Sequence, residues 1–362
     1  MGIAAAVGLY IQFLRIRKER RDQRTLDENA EREIQKQLMD LYQMKQQEAV
    51  IHFSSLSKSM DQKPPLRLLW ASIERHLASF PTEANILFKK FEKNFLIHDA
   101  SVFALVQHRY GKSLAAEGRF KAAMAKFGHT MTCSDIPPLI RAQAARECCN
   151  VVTQVAWDKP TDQARWDTVK KTVAYLTDTL GELRNYKPRN NERNNIRFLH
   201  ASADEFQVLA DARGRLTSEA LSDVRNSIDR QIKFSPITGR NRNTQLAAGY
   251  LRTGELETAI RLAVRFTNEM NDPLERGLTQ LVKGQGLLLK GKKTEAGKCI
   301  AAACGDFDKT STLRFRRVLS IFRVNLDPGK HNLKQKILYL WPFRGPPRHV
   351  GAFVPHIPWV QA

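Results

Sequence analysis

The stretch YLRTGELETAIRLAVRF, residues 250–266, sets Gly254 between two short runs that carry a small or apolar residue every three or four positions. That spacing is helical, and the glycine marks either an interruption of one helix or the turn between two. Two other stretches decide between these readings. YGKSLAAEGRFKAAMAKF (residues 110–127) and GQGLLLKGKKTEAGKCIAAA (residues 284–303) fall into register with it on Gly118, Gly254 and Gly291. Seven residues before the glycine stand Gly111, Ala247 and Gly284, and four before it Leu114, Tyr250 and Leu287. Five after it stand Ala123, Ala259 and Ala296, and nine after it Phe127, Ala263 and Ile300. Two antiparallel helices approach closely only where small residues face each other, with a larger apolar residue one turn away to fill the groove. The repeated unit is therefore a helix pair.

This arrangement resembles the tetratricopeptide repeat, whose unit of about 34 residues carries small residues at these sites and a glycine at the inter-helix turn. Gly118 and Gly254 lie 136 residues apart, or four such periods, and Gly254 and Gly291 lie 37 apart. The pattern departs from the family where Gln107, Asn243 and Gln280 replace a leading tryptophan, and where Lys293 replaces the bulky residue represented by Phe120 and Leu256. The intermediate phases, Val152, Tyr186 and Ala220, carry no glycine. The resemblance implies an all-α protein: a superhelical array of antiparallel helix pairs over residues 66–324, partly degenerate, preceded by a long N-terminal helix. An ordinary helical bundle with the same small residues is the alternative. No alternating β-branched run opposes an all-α reading.

Around the array the composition shifts. Residues 1–24 are apolar from Met1 to Leu14 apart from Gln12, then basic at Arg15, Arg17, Lys18, Arg20 and Arg21. A helix of about 14 apolar residues rises roughly 21 Å, short of a hydrocarbon core of roughly 30 Å. The segment reads as a membrane anchor or interfacial helix with the following residues on the cytoplasmic side, or as a helix start packed on the array. Residues 25–60 read as one amphipathic helix on Leu26, Ala30, Ile34, Leu38 and Leu41, which the two prolines of DQKPPL (residues 61–66) end. Residues 325–362 form a basic tail rich in aromatics and proline. Loops are expected at WDKPTD (157–162), NYKPRNNERNN (185–195) and FSPITGRNR (234–242).

With 42% hydrophobic and 26% charged residues among 362, the chain suits a folded, largely helical protein. Its net charge of +21 attracts polyanions, whether nucleic acid, anionic lipid or an acidic protein face. Arg184, Lys187, Arg189, Arg193 and Arg197 gather in one region, and Lys233, Arg240 and Arg242 in another; these are the candidate anion or partner contacts, with a plain solvated face as the other reading. The five cysteines contain no CxxC pair and no metal-ligand spacing with histidine, so they read as apolar packing residues of a reducing compartment.

No phosphate-binding, dinucleotide, zinc-protease or nucleophile-elbow motif occurs, and the nine histidines are scattered. The residues therefore point to a non-enzymatic scaffold that needs no cofactor and binds a protein or peptide, with nucleic acid as the second reading and no small-molecule substrate. Membrane-anchored tetratricopeptide adaptors are similar in this order of parts, and the cytoplasmic face of a membrane is the expected location. One group of them adds a cysteine-rich metal-binding domain whose CxxC pairs are missing here.

Overall fold

The computed structural model describes residues 2–43, 64–77, 80–157, 161–188, 190–213, 217–234, 244, 246–248, 250–251, 254–269 and 273–309. They form α1 (Gly2–Gln43), α2 (Pro64–Leu77), α3 (Pro81–Asn94), α4 (Ala100–Glu117), α5 (Phe120–Thr132) and α6 (Pro138–Trp157). There follow α7 (Gln163–Glu182), a 3₁₀ turn at Leu183–Asn185, α8 (Asn190–Ala212), α9 (Ser218–Phe234), α10 (Leu256–Glu269), α11 (Pro273–Leu289) and α12 (Lys293–Asp308). Helical backbone also occurs at Thr244, Leu246–Ala248 and Tyr250–Leu251, and no strand occurs among the described residues. The fold is an all-α array of helix pairs behind one long helix. Pairing runs α2 with α3, α4 with α5, α6 with α7, α8 with α9 and α11 with α12, while α4, α6 and α8 also pack in succession on one another.

Local chemistry sets where helices begin. Pro64, Pro81, Pro138 and Pro273 each open a helix, where proline's fixed φ suits the first turn and its missing N–H is not needed. The prolines read in the sequence only as an end thus also start α2. Asp99 caps α4 by accepting from Val102 N–H at 2.9 Å, and Thr217 caps α9 by accepting from Ala220 N–H at 3.1 Å. Inside the helices the apolar residues recur with helical period. In α7 the buried stripe is Trp166, Val169, Val173, Leu176 and Leu180.

Gly118, Gly254 and Gly291 all adopt left-handed φ, at 77°, 84° and 77°. In each, the glycine N–H returns to the carbonyl three residues back: Ala115 at 2.8 Å, Leu251 at 3.2 Å and Leu288 at 2.9 Å. The next residue's N–H returns to Leu114, Tyr250 or Leu287, at 2.9 Å each time. This paired closure satisfies carbonyls that a helix end would otherwise leave open. The aligned small positions lie inside the pairs. Ala123, Ala247, Ala259 and Ala296 are fully buried, and Leu114, Tyr250 and Leu287 are buried beside them. A β-carbon on Gly111 would meet the Phe127 ring at 2.7 Å, and one on Gly284 would sit 3.5 Å from Ile300.

Between Gly118 and Gly254 the period changes. Four repeats of 34 residues would place three turns at Val152, Tyr186 and Ala220, but two larger pairs fill the interval, with helices of 20, 20, 23 and 17 residues. Val152 is buried within α6, Ala220 lies inside α9, and Tyr186 follows the 3₁₀ turn that leads to α8. Longer helices need no short-period glycine. The loop expected over residues 185–195 is shorter than read, because α8 already begins at Asn190; its asparagines sit in the first turns, where polar side chains are well tolerated. The loop residues 235–243 and the tail from residue 310 onward, including the expected segment 325–362, lie outside the described residues.

One helix, α1, runs without a break across the junction drawn in the sequence between residues 24 and 25. It touches the array through Ala30, Ile34 and Leu38, which are buried, whereas Arg17, Lys18, Arg21, Asp22, Thr25, Leu26, Glu28 and Asn29 are exposed. The Glu31 carboxylate accepts from the backbone N–H groups of His98 and Asp99, both at 2.8 Å, and Gln35 donates to the Ser101 hydroxyl at 3.0 Å. A buried acid thus fastens α1 to the start of α4. Among the described residues no helix is long and apolar enough to cross a membrane.

Candidate partner-binding cluster

Helix α4 is buried on almost every side, and it carries Gln107, His108, Arg109 and Ser113 into that buried position. Burial of such groups is costly unless each finds a partner. Gln107 donates to Glu92 of α3 at 2.8 Å, and Lys126 of α5 donates to the same carboxylate oxygen at 2.6 Å while its ammonium lies 4.9 Å from the Tyr110 ring centroid. That network holds α3, α4 and α5 together.

The opposite side of α4 gathers a different group. Glu147 of α6 pairs with its neighbour Arg146 at 3.0 Å and with Lys112 of α4 at 3.7 Å. Arg146 is nearly fully buried, and its guanidinium lies 5.0 Å from the Phe198 ring centroid of α8. His76 of α2 and His108 and Arg109 of α4 complete the cluster, which spans the first helices of three successive pairs. Lys112 and Arg146 face the Glu147 carboxylate, and Arg109 stands close enough to His76, His108 and Lys112 to disfavour their charged forms. Among the described residues, His76 Nδ1 and Arg146 Nε are buried without a hydrogen-bond partner.

Burial, with Lys112 and Arg109 nearby, lowers His76 to about 3 and depresses His108 well below the usual imidazole range. Burial pushes the Glu147 carboxyl upward, but Arg146 and Lys112 outweigh it and hold the group at about 2. Lys112 is lowered by burial first, with Glu147 opposing that shift, although 32% of its side chain reaches solvent. The cluster is thus a fixed electropositive spot, in which a carboxylate or phosphate would find donors already placed.

The basic residues singled out in the sequence lie elsewhere. Arg184 is on the 3₁₀ turn, Lys187 follows it, Arg193 and Arg197 stand one turn apart on α8, and Lys233 is near the end of α9; all five are exposed. The fold brings Arg197 and Lys233 to one aromatic ring, with their charges 5.7 and 6.0 Å from the Phe234 centroid. Arg189, Arg240 and Arg242 lie outside the described residues. The cluster on α2, α4 and α6 escaped the sequence reading because its members are dispersed over residues 76–147 and three helices. The one local signal was a polar run, Gln107–Arg109, inside an otherwise apolar helix.

A depression of about 160 Å³ lies between α9 and α10 and is lined by Arg225, Asp229, Leu246, Leu262, Arg265 and Phe266. Its charges balance locally, with Arg265 paired to Glu269 at 3.0 Å. Among the described residues no group of three or more His, Cys, Asp or Glu is placed to hold a metal ion, and all five cysteines are free thiols, four of them buried. No protein-family model matches the chain, and no curated protein matches it.

Proposed function

We propose that the protein is a non-enzymatic helical-repeat scaffold, tetratricopeptide-like in its packing, that binds an acidic segment of a protein partner. The observation that carries this reading is the gathering of the cations Arg109, Lys112 and Arg146 on α4 and α6, first helices of successive pairs that pack on one another, with His76 of α2 beside them. The three glycine turns with identical closure, and the small residues buried around them, support the repeat reading. The order of parts in α1 supports a place at the cytoplasmic face of a membrane. From Gly2 to Asn29 the helix is about 40 Å long, and its sequence is apolar at the start, with exposed Arg17, Lys18 and Arg21 following.

The partner reading is tested with a fluorescent polyglutamate peptide and the full chain. Lys112→Gln together with Arg146→Gln should weaken binding tenfold or more, while Lys89→Gln with Lys90→Gln, the same charge change on the exposed face of α3, should leave it within twofold. Equal loss in both variants would reduce the cluster to general charge. Flotation with anionic vesicles, with and without residues 1–24, tests the membrane reading; an unchanged distribution would count against it.

A further inference from the structure

Two features mark the exposed cations at the start of α8 and the end of α9. The first is that none is neutralised by an acid among the described residues, as Arg75 is by Glu83, Lys126 by Glu92 and Arg230 by Asp204, a state shared with other exposed cations such as Lys89, Lys90, Lys170 and Lys171. Arg184, Lys187, Arg193, Arg197 and Lys233 make no ion pair among the described residues. The nearby acid Glu192 instead accepts from the Tyr186 hydroxyl at 3.0 Å.

The second is convergence. Residues 184–197 and residue 233 are separated by most of two helices, yet the antiparallel pairing of α8 with α9 returns the end of α9 to the start of α8. Phe234, half-buried, lies beneath both Arg197 and Lys233, which holds two flexible cations over one aromatic floor. Arg193 and Arg197 project from the same face of α8, since residues four apart stand about 5–6 Å from each other.

We propose that this surface binds the phosphodiester backbone of a single-stranded nucleic acid, independently of the cluster on α2, α4 and α6. Arginine predominates among the five, and its planar fork matches phosphate oxygens in pairs where lysine offers a point charge. A bilayer fits less well. Among the described residues the exposed large hydrophobic side chains are Leu26, Ile86, Leu96, Val264 and Leu289, none of which lies on α8, α9 or the turn before α8. An open row of cations reads a repeating charge and not a base sequence, so the expected binding is sequence-tolerant and steeply salt-dependent.

The experiment measures fluorescence anisotropy of an oligouridine of about 20 nucleotides, long enough for the usual site sizes, against the full chain over a series of salt concentrations. Arg193→Ala, Arg197→Ala and Lys233→Ala combined should flatten the log–log salt slope by about 2, since each contact to a single strand contributes about 0.7. Lys89→Ala, Lys90→Ala and Lys93→Ala combined remove the same charge from α3 and should leave the slope unchanged. Because Arg197 and Lys233 cover Phe234, a second variant, Lys187→Ala with Arg193→Ala, keeps that ring covered and should flatten the slope by about 1.4. Equal flattening by the α3 and α8/α9 triples overturns the proposal, as does failure of the unaltered chain to bind at low salt. Retained RNA binding by the α8/α9 triple, with loss of its flotation on phosphatidylserine vesicles, assigns the surface to lipid and overturns it too.

Discussion

Gly111 lies so close beneath the ring of Phe127 that a β-carbon on it would stand 2.7 Å from the ring's Cε1. The two residues belong to successive helices, α4 and α5, and Phe127 is fully buried, so the ring has nowhere to retreat. Close approach of these helices depends on the missing methyl group. Gly111→Ala should therefore destabilise the protein by about 1–3 kcal/mol through overpacking. Phe127→Leu in the same chain should recover part of that loss, a coupling that a double-mutant cycle by chemical denaturation reads directly. Additive losses would show that the ring and the glycine do not meet.

Gly254 isolates a different cost. Nothing lies within 4 Å of the β-carbon it lacks, yet its φ is 84°, so Gly254→Ala strains only the backbone. The expected loss is about 1 kcal/mol, and Gly254→Asn should lose less because asparagine tolerates the left-handed region. The denaturation midpoint should move while the slope stays constant.

The attachment of α1 rests on Glu31. Glu31→Ala removes the acceptor of two backbone N–H groups, those of His98 and Asp99, and should cost about 1–2 kcal/mol. Limited proteolysis should then cut faster within α1 while the helix pairs stay resistant. Unchanged cleavage would mean that Ile34 and Leu38 alone hold the helix in place.

The cluster on α2, α4 and α6 makes stability depend on pH in a defined direction. His76 and His108 are lowered from 6.5 in the folded chain, so below about 6.5 the unfolded chain binds more protons and folding loses ground. Their contribution is complete above 6.5 and declines as pH falls toward 3. Glu147, held at about 2, adds a further loss from about 4.5 downward. The melting temperature should fall between pH 7 and pH 5, and His108→Gln should flatten that fall; each histidine can supply at most about 1.4 kcal/mol per pH unit. An identical pH profile in the variant would remove His108 from this account.

Removing Glu147 tests the balance of charge in the same place. Glu147→Ala leaves Lys112 and Arg146 without their carboxylate and should cost about 2 kcal/mol, below the usual cost of breaking a fully buried pair because 20% of its side chain reaches solvent. Thermal melts at low and high salt check it, with the loss smaller at high salt.

Helix type and pair geometry were legible in the sequence wherever they rest on local rules. The 3.6-residue recurrence of Trp166, Val169, Val173, Leu176 and Leu180 specifies a one-sided helix, and a glycine flanked at fixed distances by small residues specifies a close-packed turn, as at Gly118, Gly254 and Gly291. Both signals act within about ten residues, and no distant contact is needed to read them. The number of pairs between Gly118 and Gly254 was not legible, because longer helices joined without glycine carry no period to count. Nor was the cluster. His76, His108, Arg109, Lys112, Arg146 and Glu147 each sit in an unremarkable helical context, and only the packed array, with α6 against α4, sets them side by side. Phe234 shows the same division: its place at the end of α9 follows from the chain, but its position beneath both Arg197 and Lys233 follows from the antiparallel return of one helix along another. Burial and charge proximity are properties of the packed array, since the low polarity that shifts a histidine or leaves a cation unbalanced exists only once the helices exclude water.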